Sequence, residues 1–248
     1  MAAKKTAKTQ ETYDAPETLA HHPFFGLRLD EDQKNLRDTI WSKDNDIVFV
    51  DAPAGTGKTT ISVVTASLMV KYGRADNIVY VMHPVNDFQG FLPGTITEKS
   101  SVYFEALYQA LLVAGEFPDK VICSSPLVQK DGSGYVTAIT DTYLRGSNIG
   151  GNDTPTILIL DEAQNFDEFS LRKTLTRACE NTKVIVIGHQ LQCDLRNNKQ
   201  SGFARCMAHF KAKNNPRFAF CELHTCHRSL VAQTADEAWT EKEELSLE

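Results

Sequence analysis

The sequence predicts an α/β fold, a three-layer sandwich with a mostly parallel central sheet. Three observations predict it. Short apolar runs recur at Asp46–Val50, Asn77–Met82, Thr156–Leu160 and Lys183–Ile187, the pattern of strands buried on both faces. Segments of helical character separate them, and strands alternating with helices build parallel sheets covered on both sides. A chain of 248 residues, 42% hydrophobic, can fill one such core but not two.

Taken in order, residues 1–20 read as a flexible tail. Its start, MAAKKTAKTQ, carries Lys4, Lys5 and Lys8 with no apolar region behind them, so it is no signal peptide. Residues 21–240 read as a single domain and 241–248 as an acidic tail. Within the domain a helix is expected from Asp30 to about Trp41, and a second from Lys58 to Tyr72, stopped by Gly73. The strand Asn77–Met82 halts at Pro84. A loop with Gly90, Pro93 and Gly94 leads to a helix over Tyr103–Ala114. Residues 115–155 show no clear period; Asp131-Gly132-Ser133-Gly134 fits the tip of a hairpin. After the strand Thr156–Leu160 come a helix over Glu168–Cys179, the strand Lys183–Ile187, a helix over Gly202–Phe210, an extended segment Phe218–Leu223 and a helix over Ser229–Trp239.

Net charge is −6, which excludes a uniformly basic surface but not a local basic strip or pore. The six cysteines form no Cys-x-x-Cys pair and read as reduced thiols in a reducing, cytoplasmic compartment. Cys221, His224, Cys226 and His227 are the nearest approach to a zinc set, but they lack a second matching half. No apolar run reaches the roughly 18 residues of a membrane span.

Ala52-Pro53-Ala54-Gly55-Thr56-Gly57-Lys58-Thr59 follows a strand and opens a helix. In that context the pattern is a phosphate cradle. Amides from Ala54 to Thr60 converge on phosphate oxygens at a helix N-terminus, Gly55 and Gly57 let the backbone approach, Lys58 reaches the β- and γ-phosphates, and the Thr59 hydroxyl can ligate Mg2+. The usual first glycine is Ala52 here; if its φ had to be positive, alanine would cost on the order of 1 kcal/mol. At Leu160-Asp161-Glu162 an apolar strand ends in two carboxylates. Asp161 is expected to hold the metal and Glu162 to polarise an attacking water, which favours hydrolysis of ATP over transfer to an acceptor. The glutamine after the next strand is expected to report on the γ-phosphate, Gln192 first and Gln190 second.

These motifs, with Gly90-Phe91-Leu92-Pro93-Gly94, Glu98-Lys99, Tyr143-Leu144-Arg145-Gly146, Asp161-Glu162-Ala163-Gln164-Asn165 and Leu175-Thr176-Arg177, resemble the PhoH-like ATPase family over roughly residues 30–240. The resemblance implies a RecA-like core related to superfamily 1 helicases, ATP with Mg2+, a ring-shaped homo-oligomer (a hexamer among the options), and action on RNA or single-stranded DNA. It implies that Gln33 reads adenine, and that an arginine among Arg145, Arg228 and Arg177 meets the γ-phosphate, with Arg145 and Arg228 favoured. Some relatives carry an N-terminal ribonuclease domain; the residues before the cradle are too few for one. Besides Ala52, the family's Arg-Pro is His83-Pro84 here and its Gly-Asp is Gly188-His189, departures that hint at a divergent branch, a viral one among the readings. An ATP-driven switch acting on protein partners is the competing function.

Overall fold

Alternation of side chains along the strands decides the architecture. The computed structural model describes residues 15–84, 104–123, 134–144, 148–151, 153–192, 195 and 201–234. In chain order the elements are α1 (Glu31–Trp41), β1 (Ile47–Asp51), α2 (Lys58–Lys71), β2 (Asn77–Met82), α3 (Glu105–Val113), α4 (Pro118–Val121), β3 (Val136–Thr140), β4 (Thr156–Asp161), α5 (Glu168–Leu175), β5 (Thr182–Gly188), α6 (Phe203–Ala212) and β6 (Phe218–Glu222). The strands pair in the order β3-β2-β4-β5-β1-β6, all parallel.

Successive strand residues point to opposite faces, so each apolar strand feeds two cores. Val48, Val50, Tyr80, Ile159 and Ile187 face one, under α1, α2 and α3; Phe49, Val81, Leu160 and Val186 face the other, with Leu171, Phe203 and Met207 of α5 and α6. These are the three layers expected. Helix α2 is buried along most of its length, from Ile61 to Met69, as befits a helix laid across the middle of the sheet. Helix α1 starts from a capping box: Asp30 accepts from Gln33 N at 2.8 Å and Gln33 Oε1 accepts from Asp30 N at 3.2 Å.

Three expectations need correction. The flexible tail expected over residues 1–20 has given way by its end: Leu19 is fully buried, and Pro16 O accepts from Trp41 Nε1 at 3.1 Å and Arg74 Nη2 at 2.8 Å. Strand β3 was not foreseen; Val136 bridges Ile122 in parallel and β3 pairs in parallel with β2, the opposite of a hairpin. Helix α5 stops at Leu175, short of Cys179, because Ile149 takes the backbone next: Ile149 N donates to Arg177 O and Cys179 N to Ile149 O, at 2.9 and 3.0 Å. The last expected helix is helical over the described residues 230–234. The acidic end, 241–248, lies outside the described residues, as does the loop from Gly90 to Gly94.

Candidate functional site

Parallel strands put all their carboxyl ends on one edge, and the chemistry-bearing residues gather there. The segment leaving β1 turns at Gly55 (φ 82°) and Gly57 (φ 81°), the latter capping α2. Both turns need the left-handed region that glycine enters without strain. The first amide of α2 to close on the loop is that of Ile61, which donates to Gly57 O at 2.9 Å. Among the described residues, the six amides before it, Gly55 to Thr60, have no acceptor. A row of unpartnered N–H groups at a helix N-terminus is an anion cradle. Lys58 is buried beside it, with Nζ 3.4 Å from Pro53 O.

Ala52 has no need of a glycine. The described non-glycine residues with positive φ are Phe24, Phe25, Glu162, Asn181 and Asn214. Ala52 N donates to Gly188 O at 3.0 Å, continuing the β1–β5 ladder, and its methyl is fully buried in the core.

The acidic strand end meets this loop directly. Thr59 Oγ1 lies 2.9 Å from Asp161 Oδ2 and 3.2 Å from Oδ1. Tyr80 donates its hydroxyl to the same carboxylate from β2, and Glu162 N donates to it at 2.9 Å. Burial raises the Asp161 pKa, helped by the charge of Glu162 and opposed by the Tyr80 and Thr59 hydrogen bonds. Burial likewise pushes the Tyr80 hydroxyl well up, with Asp161 adding to it, so tyrosine keeps the proton and donates. Glu162 sits at φ 50°, ψ 46°, a conformation costing a non-glycine residue about 1 kcal/mol or more. Its Oε2 accepts from Gln164 Nε2. Gln164 Oε1 in turn accepts from His189 N at 3.1 Å, joining Glu162 to the end of β5.

Asp51, the last residue of β1, accepts from Gln190 N at 3.1 Å and from Gln190 Nε2, and His189 Nδ1 lies 3.4 Å away. Gln190 therefore ties the β5 end to the loop-bearing strand. Gln192 is placed by its backbone, its N donating to His189 O at 3.2 Å, and its side chain has no described hydrogen bond. Gln33 is brought to the loop: its Nε2 donates to Thr56 O at 2.9 Å while its Oε1 serves the α1 cap. One amide hydrogen and one lone pair stay unspent.

A strap beyond β6 crosses the loop. His227 N donates to Gly55 O at 2.9 Å and Cys226 Sγ lies 3.6 Å from Ala54 O. A methyl at Gly55 would sit 2.5 Å from Arg228 Cγ, so Arg228 covers the cradle from within the same chain. The strap is fastened to α1 by His227 Nε2, 2.8 Å from Asp30 Oδ2, and His224 Nδ1, 3.0 Å from Asp32 Oδ2. The four residues weighed for zinc thus diverge: Cys221 is buried in the core and the other three take separate partners. Among the described residues no group of His, Cys, Asp and Glu could hold such an ion. Arg177 follows α5, which carries the chain back toward the start of β5, away from the cradle. Arg145 lies outside the described residues.

At the ends of β2 and β3 the departure His83 has a partner. Asp141 is buried, with Oδ1 3.0 Å from His83 Nδ1 and Oδ2 accepting from Lys173 Nζ at 2.8 Å. Burial alone would raise Asp141; the hydrogen bonds from His83 and Lys173 outweigh it and lower its pKa. Sequence reasoning missed Tyr80, Gln164, Asp51 and Asp141. Tyr80 gave a signal, the one aromatic in an aliphatic strand; the others gave none.

A glycine-turned loop of free amides, facing a buried strand-end aspartate across one hydroxyl, on an all-parallel three-layer sheet, defines a P-loop nucleoside-triphosphatase fold of the RecA-like kind. The chain belongs to the PhoH-like protein family, whose profile matches residues 28–240. It is 31% identical to protein PhoH of Escherichia coli over 217 residues, 86% of this chain and 58% of that one. To a PhoH-like protein of Synechocystis it is 32% identical over 206 residues, covering 82% and 59%. The chain thus spans 58–59% of the length of these relatives. Among solved structures, a Thermus phage large terminase ATPase domain aligns over 90% of each chain at 12% identity and a TM-score of 0.43, a distant likeness. Among the described residues no helix is long and apolar enough to cross a membrane.

Proposed function

We propose that this protein binds Mg-ATP in the cradle, hydrolyses it, and uses the cycle to act on RNA or single-stranded DNA as a translocase or helicase. The observation that carries the ATPase part is the Thr59–Asp161 contact at 2.9 Å, which brings cradle and acidic strand end together with Glu162 one residue on. The free amides of Gly55 to Thr60 take the phosphate oxygens, and Lys58 swings from Pro53 O onto the β- and γ-phosphates. The Thr59 hydroxyl and Asp161 carboxylate, two hard oxygens in contact, suit Mg2+. When bound, that ion would offset the phosphate charge. Glu162 orients and deprotonates the water, and Gln164 holds Glu162 against the β5 end; Gln192, with Gln190 second, is the candidate to report on the γ-phosphate. Gln33 has a spare donor and acceptor for adenine, as well as its grip on Thr56. Arg228 answers the γ-phosphate in cis, and Arg145 is the candidate for a neighbouring subunit's site.

The nucleic-acid target and the ring rest on family membership. The ring also suits the exposure of Leu191, Leu230 and Val231, at 85%, 78% and 78%, on segments adjoining the cradle. The experiment is ATP hydrolysis by the full chain with and without single-stranded RNA and DNA, beside Glu162→Gln. Expected are turnover that rises with one of the strands, and a fall of at least about a hundredfold in Glu162→Gln with nucleotide binding retained. Turnover indifferent to either strand points instead to a switch acting on protein partners. Undetectable turnover with every partner refutes the hydrolytic reading. Light scattering with and without an ATP analogue tests the ring; a monomer in both removes it.

A further inference from the structure

The edge of the sheet opposite the cradle holds a cavity of about 530 Å³ among the chain segments that enter β1, β4, β5 and β6. We propose that this cavity is a second ligand site, which takes a phosphate monoester between Lys43, Arg74 and Lys183. The chain as a whole carries net negative charge, yet this one hollow is lined by Lys43, Arg74, Lys183 and Arg217 against the single carboxylate of Asp46. Arg217 takes both Asp46 oxygens through Nε and Nη2, so that pair cancels. Among the described residues Lys43, Arg74 and Lys183 form no ion pair, though the charges of Asp46 and Asp44 reach Lys183.

Two of the three are held in place before any ligand arrives. The Arg74 guanidinium lies 3.9 Å from the centre of the Trp41 ring and donates to Trp41 O at 2.7 Å and Pro16 O at 2.8 Å. Lys183 Nζ donates to Ser42 O at 2.8 Å and to Asn45 O. Trp41 O and Ser42 O lie at the C-terminal end of α1, so each cation also caps that helix. Carbonyl dipoles solvate two full charges without neutralising them, and one donor stays unspent: Arg74 Nε is buried with no partner. Lys183 feels both burial and its charged neighbours. Burial pushes its pKa down to about 8; the charges of Arg217 and Arg74 push the same way, against Asp46 and Asp44. Fixed cations in a concave site bind a dianion with little reorganisation, and the guanidinium fork suits phosphate oxygens. The volume is that of an ordinary small-ligand pocket, enough for a phosphate with a sugar attached. A free mononucleotide and the 5′-phosphorylated end of a strand share this chemistry.

The test is calorimetric titration of the full chain carrying Lys58→Ala, which weakens the cradle, with inorganic phosphate as the probe. Saturable binding is expected. Lys43→Glu, at the exposed lip, should weaken it at least tenfold with melting unchanged. Raising the pH from about 7.5 to about 9.5 should weaken it by about tenfold as Lys183 loses its proton, and Lys183→Met should remove that dependence. Adenosine monophosphate binding more tightly than phosphate assigns the free nucleotide; a 5′-phosphorylated oligonucleotide binding more tightly than its 5′-hydroxyl twin assigns the strand end. No saturable heat with phosphate in the Lys58→Ala chain overturns the proposal, as does binding equally tight after Lys43→Glu. Neither outcome depends on whether the chain hydrolyses ATP.

Discussion

Restoring the usual glycine at the head of the phosphate loop, Ala52→Gly, should weaken this protein. Ala52 has a negative φ, its N–H is bonded to Gly188 O at 3.0 Å, and its methyl is fully buried. Glycine gains no conformation that the site requires, and it adds freedom to the unfolded chain worth roughly 0.5–1 kcal/mol. Deleting one buried methyl costs about 0.8 kcal/mol more. The sum, about 1–2 kcal/mol, corresponds to a fall in melting temperature of about 3–6 °C for a domain of this size. Urea unfolding should show a lower midpoint at unchanged slope, and the affinity for a fluorescent ATP analogue should stay within about twofold. A variant as stable as the parent and tighter for nucleotide would mean that alanine strains the loop, and the account of its backbone would fall.

Two further outcomes follow from the same geometry. Gln33→Leu leaves Thr56 O without its donor and removes one of the two bonds of the α1 capping box, at a cost of about 1–3 kcal/mol; thermal melting should fall and nucleotide affinity with it, while unchanged values of both would show that the Gln33–Thr56 bond does not brace the loop. Lys183 should give the folded state a stability that rises with pH. Its pKa is about 8 in the folded chain against 10.5 unfolded, so between those values the unfolded chain holds the extra proton and rising pH favours folding. From pH 8 to 9 the gain is about 1 kcal/mol. Above that the buried thiols of Cys206, raised from 9.0 to about 11, and of Cys221, raised from 9.0, act in the opposite direction. Urea midpoints across that interval should climb in the parent and stay flat in Lys183→Met; parallel curves would remove the assignment.

The central strands were legible because burial on both faces leaves a run of aliphatic residues that few other structures produce. Strand β3 was not: at the sheet edge, Val136-Thr137-Ala138-Ile139-Thr140 mixes threonine with small residues beside Gly132 and Gly134, and its pairing with β2 is set by tertiary contact. The cradle and Asp161-Glu162 could be read because phosphate chemistry fixes both residue type and spacing. Their supports could not. Tyr80 reaches Asp161 across 81 residues of sequence and Asp51 reaches Gln190 across 139; neither contact has a local pattern. Nor does the sequence specify which of Gln190 and Gln192 meets Asp51; the structure gives that contact to Gln190.

The strap that passes over Gly55 has a consequence for how the molecule matures. Asp30 and His227 stand 197 residues apart, and their meeting fastens the strap over the glycine loop. A chain that has formed β1, α2 and β4 but has not yet added β6 already has the loop and Asp161, yet it lacks the bond from His227 N to Gly55 O and the anchor of His227 to Asp30. The brace on the glycine loop is therefore the product of the finished sheet: local folding of the β1–α2 turn can shape the loop, but only the assembled tertiary structure can hold it.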